Sequence, residues 1–175
     1  VIFHVQLYRG YSLLGFVIGL LLVFRTNTAY DRWWEGRKQW GALVNNTRNL
    51  ALKVNAMIPE ESETKAYFRT MIPNFVFAMK EHLRNGVDLD ELAWADGIDR
   101  SRLEKASHVP NVIAADMQMK VQDLYRAGKL TGDQLIIIDK ELKALLDILG
   151  ACERIRNTPI PYSYSLFLKK FIFSF

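Results

Sequence analysis

From Ser12 to about Ala56 the chain contains no proline, and its last glycine there is Gly41, which predicts one long helix or two nearly collinear ones. That helix carries two opposite chemistries. Tyr11 to Phe24 is an apolar run, and Phe24 to Gly41, FRTNTAYDRWWEGRKQWG, is charged and rich in tryptophan, with no loop signal between them. Such a change suits the place where a chain leaves a membrane or a dry pore and meets water, with Trp and Arg at the boundary. The apolar run has 14 residues, below the roughly 20 that a lone helix needs to span a bilayer. A run this short is expected to be buried in protein rather than to face lipid.

Of the 175 residues, 50% are hydrophobic and 24% charged, a globular rather than disordered balance. The apolar residues concentrate in the first 24 and the last 16 positions, with most of the charge between. The chain opens on Val1 with no initiator Met and closes inside a rising apolar pattern, SYSLFLKKFIFSF, so it reads as a fragment with membrane segments missing at both ends. A net charge of +4 is far from the dense basic stripe of a nucleic-acid binder. Cys152 is alone and forms no internal disulfide; His4, His82 and His108 have no metal-ligand spacing to one another or to it. No metal and no cofactor are therefore expected.

The long helix should end at Pro59, and its second half should bury a face near Tyr30, Trp33, Trp40, Val44 and Ala51, with Arg32, Arg37, Lys38 and Arg48 mostly elsewhere. A second helix, about Ser62 to Arg84, carries Phe68, Ile72, Phe75, Met79 and Leu83 at helical spacing, with Pro73 as a kink and Asn85-Gly86 as its stop. The next 23 residues, with Trp94 and Gly97, read as a loop holding a short helical turn. A third helix begins at Pro110, turns Val112, Ile113, Met117, Val121 and Leu124 inward, and stops at Gly128. Thr131 to Gln134 forms a capping box for a fourth, which runs to about Arg156 with a buried stripe of Leu135, Ile138, Leu142, Leu145 and Leu149, ended by Pro159 and Pro161. No strand alternation of useful length occurs. The fold class is all-α.

Phe16, Leu20 and Phe24 recur every four residues, which sets three bulky apolar side chains in one stripe over about two turns. If copies of this helix surround an axis, the stripe becomes a stack of apolar rings able to gate ions by dewetting. By spacing alone, plain core packing is the commoner origin of such a stripe. Gly15 and Gly19 form a small-residue ridge beside it, suited to close helix approach. Below it come Arg25, Asn27, Thr28, Asp31 and Arg32, a polar stretch fit for a wet vestibule or for ordinary helix-surface pairs. Trp33, Trp34 and Trp40 are candidate interface anchors, with Trp33 placed to stack on Arg37.

Arg25 to Lys53 holds six Lys or Arg residues, against Arg9 alone in Val1 to Phe24, so the charged part is expected on the cytoplasmic side. The acids Glu60, Glu61 and Glu63, and Asp88, Asp90 and Glu91, read as solvated helix ends and loops rather than metal ligands. No nucleophile with a base, phosphate loop or paired carboxylates stand at useful spacing, so no enzyme is read here.

The block FRTNTAYDRWWEGRKQWG, preceded by SLLGFVIGLLLVF and followed far downstream by NTPIPYSYSLFLKKF, resembles the bestrophin family in its bacterial branch. The resemblance covers nearly all of the chain. It implies long helices forming the neck and cytosolic part of a homopentameric ion channel with one central pore. By resemblance the neck falls on Phe16, Leu20 and Phe24, and a second, cytosolic aperture falls within Leu135 to Ile138, with Ile136 favoured because it lies off the core stripe. Arg25, Asn27, Asp31, Arg32, Trp33 and Trp34 then form the vestibule and interface motif.

The same resemblance implies a membrane-embedded or neck segment over residues 1–24, a cytosolic helical part over 25–164 and the start of a further membrane segment over 165–175. It places the protein in the bacterial inner membrane as a multi-pass subunit. Its partners are other copies of itself, membrane lipids and monovalent ions, with no nucleic acid. Chloride or other anions pass by the family's best-known property, with cations the alternative in bacterial members. The competing readings are a non-conducting helical membrane scaffold and a soluble helical enzyme or binding module.

Overall fold

The computed structural model describes residues 2–58, 62–84, 86–94, 98–159 and 169–170, without the side chains of residues 2–11, Leu14 and Ser62. Pro59, Glu60, Glu61, Asn85, Gly97, Pro161 and most of 165–175, on which parts of the sequence reading rest, lie outside the described residues. Among the described residues up to 159, five α-helices follow in order: α1 Ile2–Met57, α2 Ser62–His82, α3 Arg100–Glu104, α4 Val109–Arg126 and α5 Gly132–Asn157, with a 3-10 turn at Leu89–Glu91. Among the described residues there is no strand, and the all-α reading stands. None of the helices, over the described residues, is long and apolar enough to cross a membrane.

The chain divides into two compact units, Val1–Lys38 with Ile155–Phe175, and Gln39–Arg154. The second holds the core. There α2 and α4 pack on each other, with Phe68, Met71, Phe75 and Met79 against Ile113, Met117 and Val121, joined by Ile138, Leu142, Leu145 and Leu149 of α5. Apart from Met71, these belong to the stripes expected from helical spacing, of which Leu83, Val112 and Leu135 are only half-buried; burying a side chain of this size contributes about 1.5 to 3 kcal/mol.

The face of α1 differs from the expectation. Leu43, Asn46, Leu50 and Val54 are buried, while Val44 and Ala51 are exposed, and so are Tyr30 and Trp33. The stripe lies one residue earlier than read, a rotation of about 100° on a helix. An asparagine within it interrupts the apolar pattern, and the nearby aromatics pulled the reading to the wrong face. Trp40, read both as part of the packed face and as a candidate interface anchor, is half-buried and packs on this core.

The helix ends follow their local chemistry. Gly86 at φ +107° and Gly128 at φ +70° occupy left-handed backbone after α2 and α4, where a glycine carries no Cβ penalty. The Thr131 N–H donates to Gln134 Oε1 at 3.0 Å and the Gln134 N–H to Thr131 Oγ1 at 3.3 Å, the capping box that opens α5. α4 begins at Val109 with His108 as its cap, its Nδ1 accepting the Asn111 N–H at 3.3 Å, one residue ahead of the expected start at Pro110. The irregular stretch after α2 is pinned by buried Asn74, whose Nδ2 donates to the Ala93 carbonyl at 2.7 Å and whose Oδ1 accepts the Ala93 N–H at 2.9 Å. Arg100 then stacks on Trp94 at 5.1 Å while pairing with Asp90 and Glu104.

One charge lies inside the expected apolar stripe of α5. Glu141 is buried, and its Oε2 accepts from Asn46 Nδ2 at 2.6 Å while Oε1 pairs with Lys53 Nζ, so α1 and α5 share a polar link within the core unit. A buried carboxylate is tolerated only when its oxygens are satisfied in this way. Removing it strands the buried Asn46 amide. Glu141→Ala should therefore lower stability by about 2 to 3 kcal/mol, read as a reduced urea midpoint with an unchanged slope; a midpoint equal to the parent's would contradict the link.

Tyr67 is buried, edge-on to Phe68 at 5.4 Å. Burial, and after it the Asp116 charge, push its hydroxyl from 10.0 up to about 12, with Arg102 acting the other way. Folded Tyr67 thus keeps a proton that the unfolded chain releases above pH 10, so its contribution is present below that pH and lost as pH rises toward 12. Stability should fall by about 2 to 3 kcal/mol across that window through this residue. Tyr67→Phe should flatten the decline between pH 10 and 12; an unchanged slope would contradict the assignment.

Candidate functional site

At about 100° per residue, Leu13, Phe16, Val17, Leu20, Val23 and Phe24 share one face of α1. All six are exposed, with Phe16 at 69%, Leu20 at 46% and Phe24 at 55%. The stripe is therefore not core of the single chain. Leu22, on the opposite side of the helix, is exposed too at 44%, so exposure alone does not select the face. A Cβ added at Gly15 or Gly19 would meet nothing within 4 Å, and the small-residue ridge stands open in the single chain.

Below the stripe the polar residues divide by what holds them. The Thr26 and Thr28 hydroxyls donate back to the carbonyls of Leu22 and Phe24, both at 2.9 Å, and so are satisfied inside the helix. Asn27 and Asp31 face solvent, and Arg25 is half-buried. Arg32 turns to the end of α5, where Nη1 donates to the Thr158 carbonyl at 2.5 Å and Nη2 to the Arg156 carbonyl at 3.5 Å. A guanidinium there satisfies carbonyls that the helix end leaves unpaired and complements its negative dipole end. Sequence reasoning placed Arg32 in a vestibule motif and had no means of seeing this partner, which lies 126 residues away.

Tyr30, Trp33 and Trp34 form an exposed aromatic run, with ring centroids 5.7 Å apart for Tyr30 and Trp33 and 6.1 Å for Trp33 and Trp34. On α5, Ile136 is 68% exposed while Ile138 is fully buried. It lies off the buried stripe, as read from the sequence.

The sequence reading missed one cluster altogether. His82, the last residue of α2, and His108, the cap of α4, bring their Nε2 atoms to 2.9 and 2.7 Å from the same Glu153 Oε1, and their rings stand 4.2 Å apart. No ligand spacing along the sequence links this pair to Glu153, from which they lie 71 and 45 residues away; helix packing, not local spacing, joins them. Burial pushes the Glu153 carboxyl up, but the bonds from His108 and His82 outweigh it and hold the group below its ordinary range. The only local signal was a histidine standing just ahead of Val109-Pro110, where a helix start needs a cap.

A model of bacterial and fungal bestrophin proteins matches residues 3–175. A voltage-dependent anion channel-forming protein of Nostoc sp. is 44% identical over 163 residues, covering 89% of this chain and 52% of that protein. A protein of the same description from Synechocystis sp. is 39% identical, covering 90% of this chain and 53% of that one. The chain thus spans about half the length of the curated relatives it matches. The solved structure of a bacterial bestrophin homologue from Klebsiella pneumoniae superposes with a TM-score of 0.83 at 28% identity, covering 92% of this chain and 60% of that one. Another solved structure, of a protein described as a membrane protein, gives a TM-score of 0.83 at 29% identity, with the same coverage. The helices, their order and the match from residue 3 to the C-terminal residue agree, and the chain belongs to the bacterial and fungal bestrophin family.

Proposed function

We propose that this chain is the pore-forming part of a subunit of a bestrophin-like ion channel, in which copies of α1 surround an axis and ions pass down their gradient with no bond made or broken. The exposed apolar face of α1 carries the reading. Phe16, Leu20 and Phe24 find no core in their own chain, and a contiguous apolar surface of this kind calls for a partner. In a homopentamer that partner is the neighbouring copies, with the three side chains forming stacked rings.

The rings hold water and ions poorly, so conduction depends on wetting a narrow apolar neck. Arg25, Asn27 and Asp31 follow on the same helix, and in this arrangement they supply the polar vestibule below. Arg32 fixes the end of α5 beside that motif, and Ile136 forms the second, cytosolic aperture. Residues 1–24 belong to the membrane or neck, 25–164 to the cytosol and 165–175 to a further membrane segment of a multi-pass inner-membrane protein. Monovalent ions are the substrate, and the relatives' description as anion channel-forming proteins favours chloride and other anions.

Full-length protein reconstituted in a planar bilayer under a KCl gradient should give a reversal potential on the chloride side of zero. A potential on the potassium side would overturn the anion reading, and no current at all would favour the scaffold. Replacing Phe16, Leu20 and Phe24 together with Ala should lower the dewetting barrier; a drop of about 1 to 1.4 kcal/mol corresponds to roughly a five- to tenfold rise in conductance. An unchanged conductance would take the neck away from these residues.

A further inference from the structure

The geometry points to a binding site for one divalent transition-metal ion, of which zinc is the probe, built from His82 Nε2, His108 Nε2 and Glu153 Oε1. All three donor atoms lie within 4.8 Å of one another, and both imidazole nitrogens already converge on a single carboxylate oxygen. Two imidazoles and one carboxylate form a common donor set for zinc, with the fourth position left to water. Donors around one tetrahedral zinc stand about 3.3 Å apart for bonds of 2.0 to 2.2 Å. Opening the two nitrogen–oxygen separations from 2.7 and 2.9 Å to that spacing is a movement of a few tenths of an ångström, and the two nitrogens, within 4.8 Å of each other, are brought to the same spacing by side-chain torsions.

The surroundings suit an ion better than a sealed core would. The three side chains are 22%, 27% and 29% exposed, so an ion can enter and keep a water. Each ligand comes from a different packed element: the last residue of α2, the cap of α4 and the penultimate turn of α5. Backbones held by the Phe75, Ile113 and Leu149 core fix where the ligands stand, which is the preorganisation a metal site requires. Their separation along the chain means that an ion bound there cross-links three helices of the Gln39–Arg154 unit.

Coordination also settles a proton. His108 Nδ1 accepts the Asn111 N–H, so the neutral ring carries its proton on Nε2 and donates it to Glu153. With zinc on Nε2 the proton resides on Nδ1, and the 3.3 Å bond from Asn111 is given up. That bond is long, and its loss is a small offset against a metal–nitrogen bond. The competing account is a plain hydrogen-bonded trio that ties the helices without metal. It predicts the same folded structure and no zinc affinity at this place.

Full-length protein without a polyhistidine tag, stripped with chelator, is titrated with zinc chloride by calorimetry, and with cobalt chloride by visible absorption. Parent protein should bind one ion per chain at this site and give the intense d–d bands of tetrahedral cobalt. Loss of a partner even in the outer shell weakens metal sites by roughly 10- to 100-fold, so removal of a direct ligand should cost at least tenfold. Glu153→Gln keeps the side-chain volume. His108→Asn keeps a side chain favoured at a helix cap while removing Nε2. Both variants should fold like the parent by circular dichroism, lose the cobalt bands and weaken zinc at least tenfold. Should His108→Asn prove unstable, His82→Gln tests the same site from α2. Affinity unchanged in all variants, or absent in the parent, would overturn the site and leave the hydrogen-bonded trio. Neither outcome bears on conduction, which the bilayer recordings test separately.

Discussion

The apolar face of α1 between Leu13 and Phe24 cannot remain in water as a single chain presents it. Six large apolar side chains on one helical face stand exposed there, and hydrophobic burial is worth about 25 cal/mol per Å² of such surface. Their exposure leaves them outside the buried core of the described residues, and from Arg25 onward the same helix becomes charged. One helix therefore carries an uncovered apolar face at one end and, at the other, a face sealed into a core by Leu43, Leu50 and Val54.

The polar contacts of α1 are matched to that division. In the core unit, Asn46 and Lys53 engage Glu141 of α5, which fixes the rotation of the buried part of the helix through a charge that would be costly to leave unpaired. In the other unit, Arg32 holds the carbonyls at the end of α5, where no further turn of helix can satisfy them. Both contacts are between α1 and α5, and both are specific in direction as apolar packing is not.

Much of this was legible in the sequence because it rests on local chemistry. Phe68, Ile72, Phe75 and Met79 declare α2 by spacing, Gly86 declares its stop and Gly128 that of α4, and Thr131 with Gln134 declares the start of α5. The buried face of α1 was not legible, since Asn46 breaks its apolar pattern and is intelligible only once Glu141 stands opposite. The candidate neck was readable as a stripe, but whether it was core or surface required the packed structure. Arg32 with Thr158, and His82 and His108 with Glu153, lay beyond reach for one reason: each depends on segments far apart in sequence and brought together by tertiary packing.

The proposed pore depends on which side of α1 faces its axis. Cysteine substitutions in the full-length protein, treated during current recording with a small charged thiol reagent, test this directly, with the parent treated alongside as the baseline and Cys152 buried. Reagent should block current at Phe16→Cys, Leu20→Cys and Phe24→Cys and leave Leu22→Cys conducting, although Leu22 is exposed too in the single chain, to nearly the extent of Leu20. Block at Leu22→Cys with none at the three stripe positions would turn the helix around and contradict the neck.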